Sequence, residues 1–226
     1  MAAWMVATPS RSSEPPWLLP PLLAVLANRA PHVRLVRLPV QFRTVEQALA
    51  TRSIDLAVTV ADALPSSILR APLLTCGFVC LFDPRQVPLK QRLSEREYFA
   101  RQHVIVSYNG DLRGIIEDLF RKERDVRCAV SSFSHVGSVI MGSKLLATVP
   151  TVVAQHLLAL HPKLATAQLP FAMDGAHIEL LWPLSVDDDE ACRFVREQLI
   201  EIAANFSSRA ERQTAPGARN RNARTR

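Results

Sequence analysis

The sequence predicts an α/β fold built as two successive halves, on three observations. Short apolar runs rich in β-branched residues alternate with stretches whose apolar residues recur at helical spacing, the pattern of largely parallel strands covered by helices. The alternation stops at Asp83-Pro84 and Val87-Pro88 and then restarts, and such turn dipeptides punctuate a chain. After Ser185 a final amphipathic stretch is placed to return to the first half. Two crossings between the halves make a hinge.

Each element follows from local pattern. Ala3 to Thr8 is a short apolar strand, and Pro9 to Pro16 is a polar, proline-rich connection. A helix runs from about Trp17 to Ala30, with Pro20 and Pro21 in its first turns, where a missing N–H is tolerated. Val33 to Val40 reads as a strand, Thr44 as the N-cap of a helix from Val45 to Arg52, and Ile54 to Val60 as a third strand. Ile68 to Phe82 reads as extended segments broken near Pro72 and at Cys76-Gly77.

The second half repeats the plan. Ser94 caps a short helix to Arg101, Val104 to Tyr108 is a strand, and Asp111 is placed to cap a helix from Leu112 to Glu123. Arg127 to Ser131, Leu145 to Val149, Ala165 to Leu169 and Ile178 to Trp182 are strands. His135 to Ser143 and Thr151 to Leu160 are helices, the latter opened by Pro150. From about Asp188 to Phe206 the residues Cys192, Val195, Leu199, Ile202 and Phe206 form one apolar stripe. The acidic run Asp187 to Glu190 suits the start of that helix, which explains it better than a metal site.

Composition excludes several functions. The net charge of +6 and pI near 9.6 invite a nucleic-acid reading, but Ser207 to Arg226 holds six Arg and one Glu, leaving residues 1–206 almost neutral. Lacking apolar periodicity, 207–226 reads as a disordered basic tail that offers phosphate only a loose, salt-sensitive contact. Seven Gly and no GxGxxG, GxxxxGK[ST] or GxSxG string leave phosphate cradles and nucleophile elbows unsupported. The four cysteines fit reduced, buried thiols of a cytoplasmic protein, with Cys76 and Cys80 on one face of an extended stretch. The apolar stretch Trp17 to Ala27 falls short of the roughly 18–20 residues of a membrane span. Pro15 and Pro16 and the lack of a clear cleavage site argue against reading it as a signal peptide. No cofactor motif emerges, and no nucleophile, base and orienter fall into place, so catalysis is not expected.

In open α/β sheets, ligands lie at the carboxyl ends of strands, where helix starts present backbone N–H groups. That rule selects Thr8, Ser10, Arg11 and Ser12 from the first half. From the second it selects the turn Ser107 to Asp111 with Asn109, then Ser132, Phe133, Ser134 and His135, and finally Thr148 and Pro150. The hydroxyls and the Asn109 amide offer hydrogen bonds, Arg11 a partner for a carboxylate, and Phe133, Val136 and Val149 apolar walls. Helix capping explains any one of the serines equally well; the set argues for a cleft.

The order of these strings resembles the effector-binding domain of LysR-type transcriptional regulators over nearly all of residues 3–206. The carriers are LLPPLLAVLANRAPHVRL (18–35), VEQALATRSIDLAV (45–58), LLTCGFVCLF (73–82), HVIVSYNGD (103–111), SSFSHVGSVIMGSKLLATVPTVVAQ (131–155) and LLWPLSVDDDEACRFVREQL (180–199). The resemblance implies a bilobal type 2 periplasmic-binding-protein-like fold, two Rossmann-like lobes joined by a two-strand hinge. Lobe I would comprise 1–84 and 185–206, and lobe II 85–184. It also implies a small metabolite, a carboxylate or an aromatic, bound between the lobes of a homodimer or homotetramer formed through the first-lobe helix and second-lobe edges. The winged helix-turn-helix that precedes such a domain is not encoded in these residues, so specific DNA binding is expected only through that missing part. A solute-binding protein or small enzyme on the same fold, and a truncated partner of full-length regulators, are the alternatives.

Overall fold

The computed structural model describes residues 3–8, 17–39, 44–61, 63–89, 92–107 and 110–214. The first sheet is assembled from β1 (Ala3–Thr8), β2 (Arg34–Pro39), β3 (Leu56–Thr59) and β4 (Ile68–Cys76), with α1 (Leu19–Arg29) and α2 (Val45–Ala50) between them. β1 lies parallel to both β2 and β3. The second set comprises β5 (Phe78–Phe82), α3 (Glu95–Phe99), β6 (Gln102–Val106), α4 (Ile115–Phe120), β7 (Asp125–Val130), α5 (Phe133–Ile140), β8 (Ala147–Pro150), α6 (Thr151–Leu160) and β9 (Ala165–Gln168). β10 (Ala176–Pro183) then returns to the first sheet, antiparallel to β3 and β4, and α7 (Glu190–Thr214) closes the chain.

The two sheets repeat one plan. The first has the order β2-β1-β3-β10-β4. In the second, β6 pairs with β7 and bridges β8 in parallel through His103 and Leu146, and β8 continues to β5 and β9, giving β7-β6-β8-β5-β9. Each sheet is thus a parallel trio extended by an antiparallel strand that has crossed from the other half. This is the bilobal architecture expected, with mixed rather than largely parallel sheets, because the crossing strands run against the trio they join.

The crossings also fall elsewhere than expected. β5 belongs to the second sheet and β10 to the first, so the chain leaves at Gly77 and returns between Gln168 and Ala176, not near 84 and 185. Asp83, completely buried, does not end a lobe; its carboxylate accepts the Gly142 N–H at 2.8 Å and pairs with Arg85. Pro72 does not break β4 either. β4 is an edge strand, where a missing N–H is tolerated, and its pairing with β10 slips by a bulge at Ile178/Glu179 beside Pro72. A Cβ on Gly175 would lie 2.9 Å from the Thr75 methyl and 3.1 Å from the Cys76 carbonyl oxygen, so the two crossings approach each other only because residue 175 has no side chain.

Helices cover both faces of each sheet. Leu22 and Leu26 of α1 and Cys192, Val195 and Leu199 of α7 bury one face of the first sheet, while Val45 and Leu49 of α2 bury the other with Leu181. Full burial of each such leucine contributes roughly 2 kcal/mol. In the second half, α5 and α6 pack Val136, Ile140, Val153 and Leu157 against Leu81 and Val149, and the opposite face holds Tyr98 and Ile116 with Cys80 and Leu146. Cys76 and Cys80 therefore sit in different clusters, separated by the Gly77 crossing, and not on one face. All four cysteines are free thiols, three of them buried.

Several boundaries differ for local reasons. Ser94 accepts the Glu97 N–H while the Glu97 carboxylate accepts the Ser94 N–H, the capping box expected there. Asp111 does not cap α4. Gly114 is the N-cap, with its N–H bonded to Glu117 at 2.8 Å, and the helix ends at Phe120 with Arg121 left-handed at φ 51°. Asp189 accepts the Cys192 N–H at 2.8 Å and Asp187 takes the Trp182 indole N–H, so these two acids of the 187–190 run are held by local partners at the start of α7. That helix continues to Thr214, so 207–214 is ordered helix rather than tail; 215–226 lies outside the described residues. Among the described residues, no helix is long and apolar enough to cross a membrane.

Candidate functional site

The parallel trio β7-β6-β8 brings three carboxyl ends together in the second half. β6 ends at Val106, and the next residue, Ser107, donates its N–H to the Val130 carbonyl of β7 at 2.9 Å and its hydroxyl to Asp111 at 2.9 Å. β7 ends at Val130, two residues before Ser132, the extended N-cap residue of α5. The Ser132 side-chain oxygen accepts the Ser134 N–H at 3.2 Å, and the two serine hydroxyls lie 2.9 Å apart. β8 runs through Pro150 directly into α6, and the Thr151 N–H donates to the Gly77 carbonyl at 2.9 Å. The end of β8 therefore meets the crossing between the two sheets, and the ends of β6 and β7 lie along the same edge of their sheet.

The expected residues divide into three groups. Ser10, Arg11, Ser12 and Asn109 lie outside the described residues, and Thr8 is placed only by its backbone, as the last residue of β1 opposite Pro39. Ser132, Phe133, Ser134 and His135 are brought together at the β7–α5 turn, with Ser132 buried, Phe133 and Ser134 half-buried and His135 exposed. Val136 and Val149, expected as walls, are packed inside the core at 0% and 1% exposure, leaving Phe133 as the apolar group at the turn. Thr148 and Pro150 lie two apart in β8, both half-buried. The Thr148 hydroxyl is 2.6 Å from the Tyr98 hydroxyl.

That last contact opens a polar network under the site. Tyr98 is fully buried, and the Arg124 guanidinium donates to its hydroxyl oxygen at 3.4 Å. Arg124 in turn donates twice to the Glu117 carboxylate at 2.7 Å. The buried His103 ring meets the Tyr98 carbonyl through Nε2 at 2.8 Å and lies 4.6 Å from the phenol ring. Burial pushes the Tyr98 phenol up and the His103 imidazole down to about 4, so both are neutral near pH 7. Burial alone would raise the Glu117 carboxyl, but hydrogen bonds from Arg124 and Gly114 outweigh it and hold the group below its ordinary range.

Sequence reading misses this network because its members have no common spacing. Tyr98 and Thr148 are 50 residues apart and Tyr98 and Arg124 are 26 apart. The available signal is chemical: Tyr98 is one of two tyrosines, and it lies in the short helix that Ser94 caps.

Comparison with known proteins matches this architecture. The LysR substrate binding domain family model covers residues 7–204. Among curated relatives, the chain is 25% identical over 190 residues to the HTH-type transcriptional activator NagR of Ralstonia sp, covering 82% of this chain and 62% of NagR. It is 27% identical over 195 residues to Nodulation protein D 1 of Mesorhizobium japonicum, covering 84% and 62%. The chain thus spans less than two thirds of the length of these relatives. The regulatory domain of MexT, a transcriptional activator in Pseudomonas aeruginosa, superposes with a TM-score of 0.76 at 28% identity, covering 88% of this chain and 97% of that one. With two five-stranded lobes joined by a double crossing and a family match over nearly its whole described length, the chain belongs to the LysR substrate-binding domain family.

Proposed function

We propose that this chain senses a small effector in the cleft between its lobes and passes that state to the oligomer of a cytoplasmic LysR-type transcriptional regulator. The observation that supports the reading is that the ends of β6, β7 and β8, with their hydroxyls and helix starts, share the sheet edge at which β8 meets the Gly77 crossing. An effector there touches both lobes, and it shifts their arrangement only to the extent that it binds one arrangement better than the other. Hydroxyls, backbone N–H groups and Phe133 suit a carboxylate or an aromatic metabolite; Ser10, Arg11, Ser12 and Asn109, outside the described residues, remain candidates from sequence. The function we read here is binding rather than catalysis, in line with the regulators the chain is similar to.

The oligomer would form through the lobe edges. β2 and β7 are edge strands, and beside them lie exposed apolar residues: Leu23 of α1 and Val36 of β2 on one lobe, Ile115 and Leu119 of α4 with Leu112 before it on the other. These two patches occupy equivalent positions in the repeated plan, so a second copy turned end for end would match each to the other. A dimer or tetramer built this way would carry sequence-specific DNA binding through winged helix-turn-helix parts, the arginines of 209–226 adding only weak phosphate contact.

A thermal-shift screen of small carboxylates and aromatics on the full chain tests the cleft. A hit that raises the melting temperature, and that weakens on changing Ser132, Ser10 or Asn109 to Ala, supports it. Hits insensitive to all three substitutions, or turnover of the hit, would overturn it.

A further inference from the structure

The hydrogen bond between Tyr98 and Thr148 has a direction that the surrounding groups dictate. An arginine side chain only donates, so Arg124 places a hydrogen on the Tyr98 oxygen. Tyr98 is fully buried and protonated, and its own hydrogen needs an acceptor inside the protein. The acceptor within reach is the Thr148 oxygen at 2.6 Å. Tyr98 therefore donates to Thr148, and the Thr148 hydrogen goes to none of the described residues. Thr148 is half-buried, in β8 two residues before the strand enters α6 at the lobe crossing.

Successive donors polarise one another. A charged guanidinium at the head of the line, itself fixed by Glu117, makes each following hydroxyl a stronger donor than it is alone. We propose that Tyr98 and Arg124 are positioning residues that aim the Thr148 hydroxyl, as a strengthened donor, at an oxygen acceptor of the effector. This inference rests on the cleft proposed above and narrows its ligand: the effector presents a carboxylate or carbonyl oxygen to β8, and an apolar ring alone does not satisfy the site. Thr148 contacts the effector, whereas Tyr98 and Arg124 act through it.

The test uses three probes of similar shape on the full chain, titrated by calorimetry: benzoate, acetophenone and ethylbenzene. Tyr98→Phe keeps the ring in its packing and removes the hydroxyl. It should weaken benzoate and acetophenone by about two- to threefold, the loss of the strengthening rather than of the contact, and leave ethylbenzene unchanged. Thr148→Val, which removes the contact itself, should weaken the two oxygen probes by about tenfold, and Thr148→Ser should retain binding; this pair carries the test if Tyr98→Phe does not fold. A labelled Tyr98 ring-carbon resonance should move on adding benzoate and stay in place with ethylbenzene. Equal losses for all three probes would mean a purely structural role and overturn the proposal. If the two oxygen probes ignore Tyr98→Phe and Thr148→Val but still respond to Ser132→Ala, the proposal falls and the cleft stands. If none of the three binds, both fall.

Discussion

The Arg124 guanidinium donates two hydrogen bonds of 2.7 Å to the Glu117 carboxylate, and both side chains are only 3% exposed. Glu117 also accepts the Gly114 N–H at the start of α4, so the pair ties that helix to the strand β7 that follows it. Removing one member leaves a buried charge without its partner. Arg124→Met should therefore destabilise the chain by about 3–5 kcal/mol in urea unfolding, while Glu117→Gln combined with Arg124→Met should recover a large part of that loss. A double variant as unstable as the single one would contradict this account.

His103 makes stability depend on pH. Its folded value, about 4, lies below the ordinary imidazole value of about 6.5, so between these limits the unfolded chain binds the extra proton. The contribution is fully present above pH 6.5 and is lost as the pH falls toward 4, with a ceiling of about 3 kcal/mol. Unfolding free energies at pH 7.5 and 4.5 should differ less in His103→Gln than in the parent, whatever the carboxylates add to both. An unchanged difference would show that His103 is not the group responsible.

The cysteines should separate by reactivity. Burial pushes the Cys76 thiol to about 11 and Cys80 to about 12, and raises Cys192 as well, which keeps the reactive thiolate scarce. Cys128, on the edge strand β7, is only half-buried. Iodoacetamide at pH 8 should label Cys128 first, and all four only after urea is added; early modification of Cys80 in the native chain would contradict the packing.

Two surface substitutions test the lobe-edge oligomer. Leu23 and Leu119 are 48% and 56% exposed, so Leu23→Glu and Leu119→Glu should each change stability by no more than about 0.5 kcal/mol. Both should move the sedimentation coefficient toward that of a 25.1 kDa monomer. If neither shifts it, the edges are not the interface.

Much of the architecture was legible because it is local. The stripe Cys192, Val195, Leu199 identified the buried face of α7, and Ser94 with Glu97 announced the start of α3. The β7–α5 turn was legible as well, since Ser132 follows a strand and precedes a helix. Errors arose where a distant partner overrode a local signal. Pro72 reads as a breaker but is absorbed by a bulge in the strand that returns a hundred residues later. Asp111 is a different case: one local signal lost to another, since Asp111 accepts the Ser107 hydroxyl and Gly114 with Glu117 starts the helix.

The sequence by itself determined the alternating elements, the two halves, and the near-neutral body that carries the basic C-terminal residues. Hydrophobic period and capping act over a few residues, and the chain displays them directly. Only the tertiary structure decided where the lobes exchange strands, because pairing depends on which edges meet after the helices have packed. It alone placed Tyr98 between Thr148 and Arg124. A buried hydroxyl takes its direction from the donors around it, and those come from strands and loops that no local spacing connects.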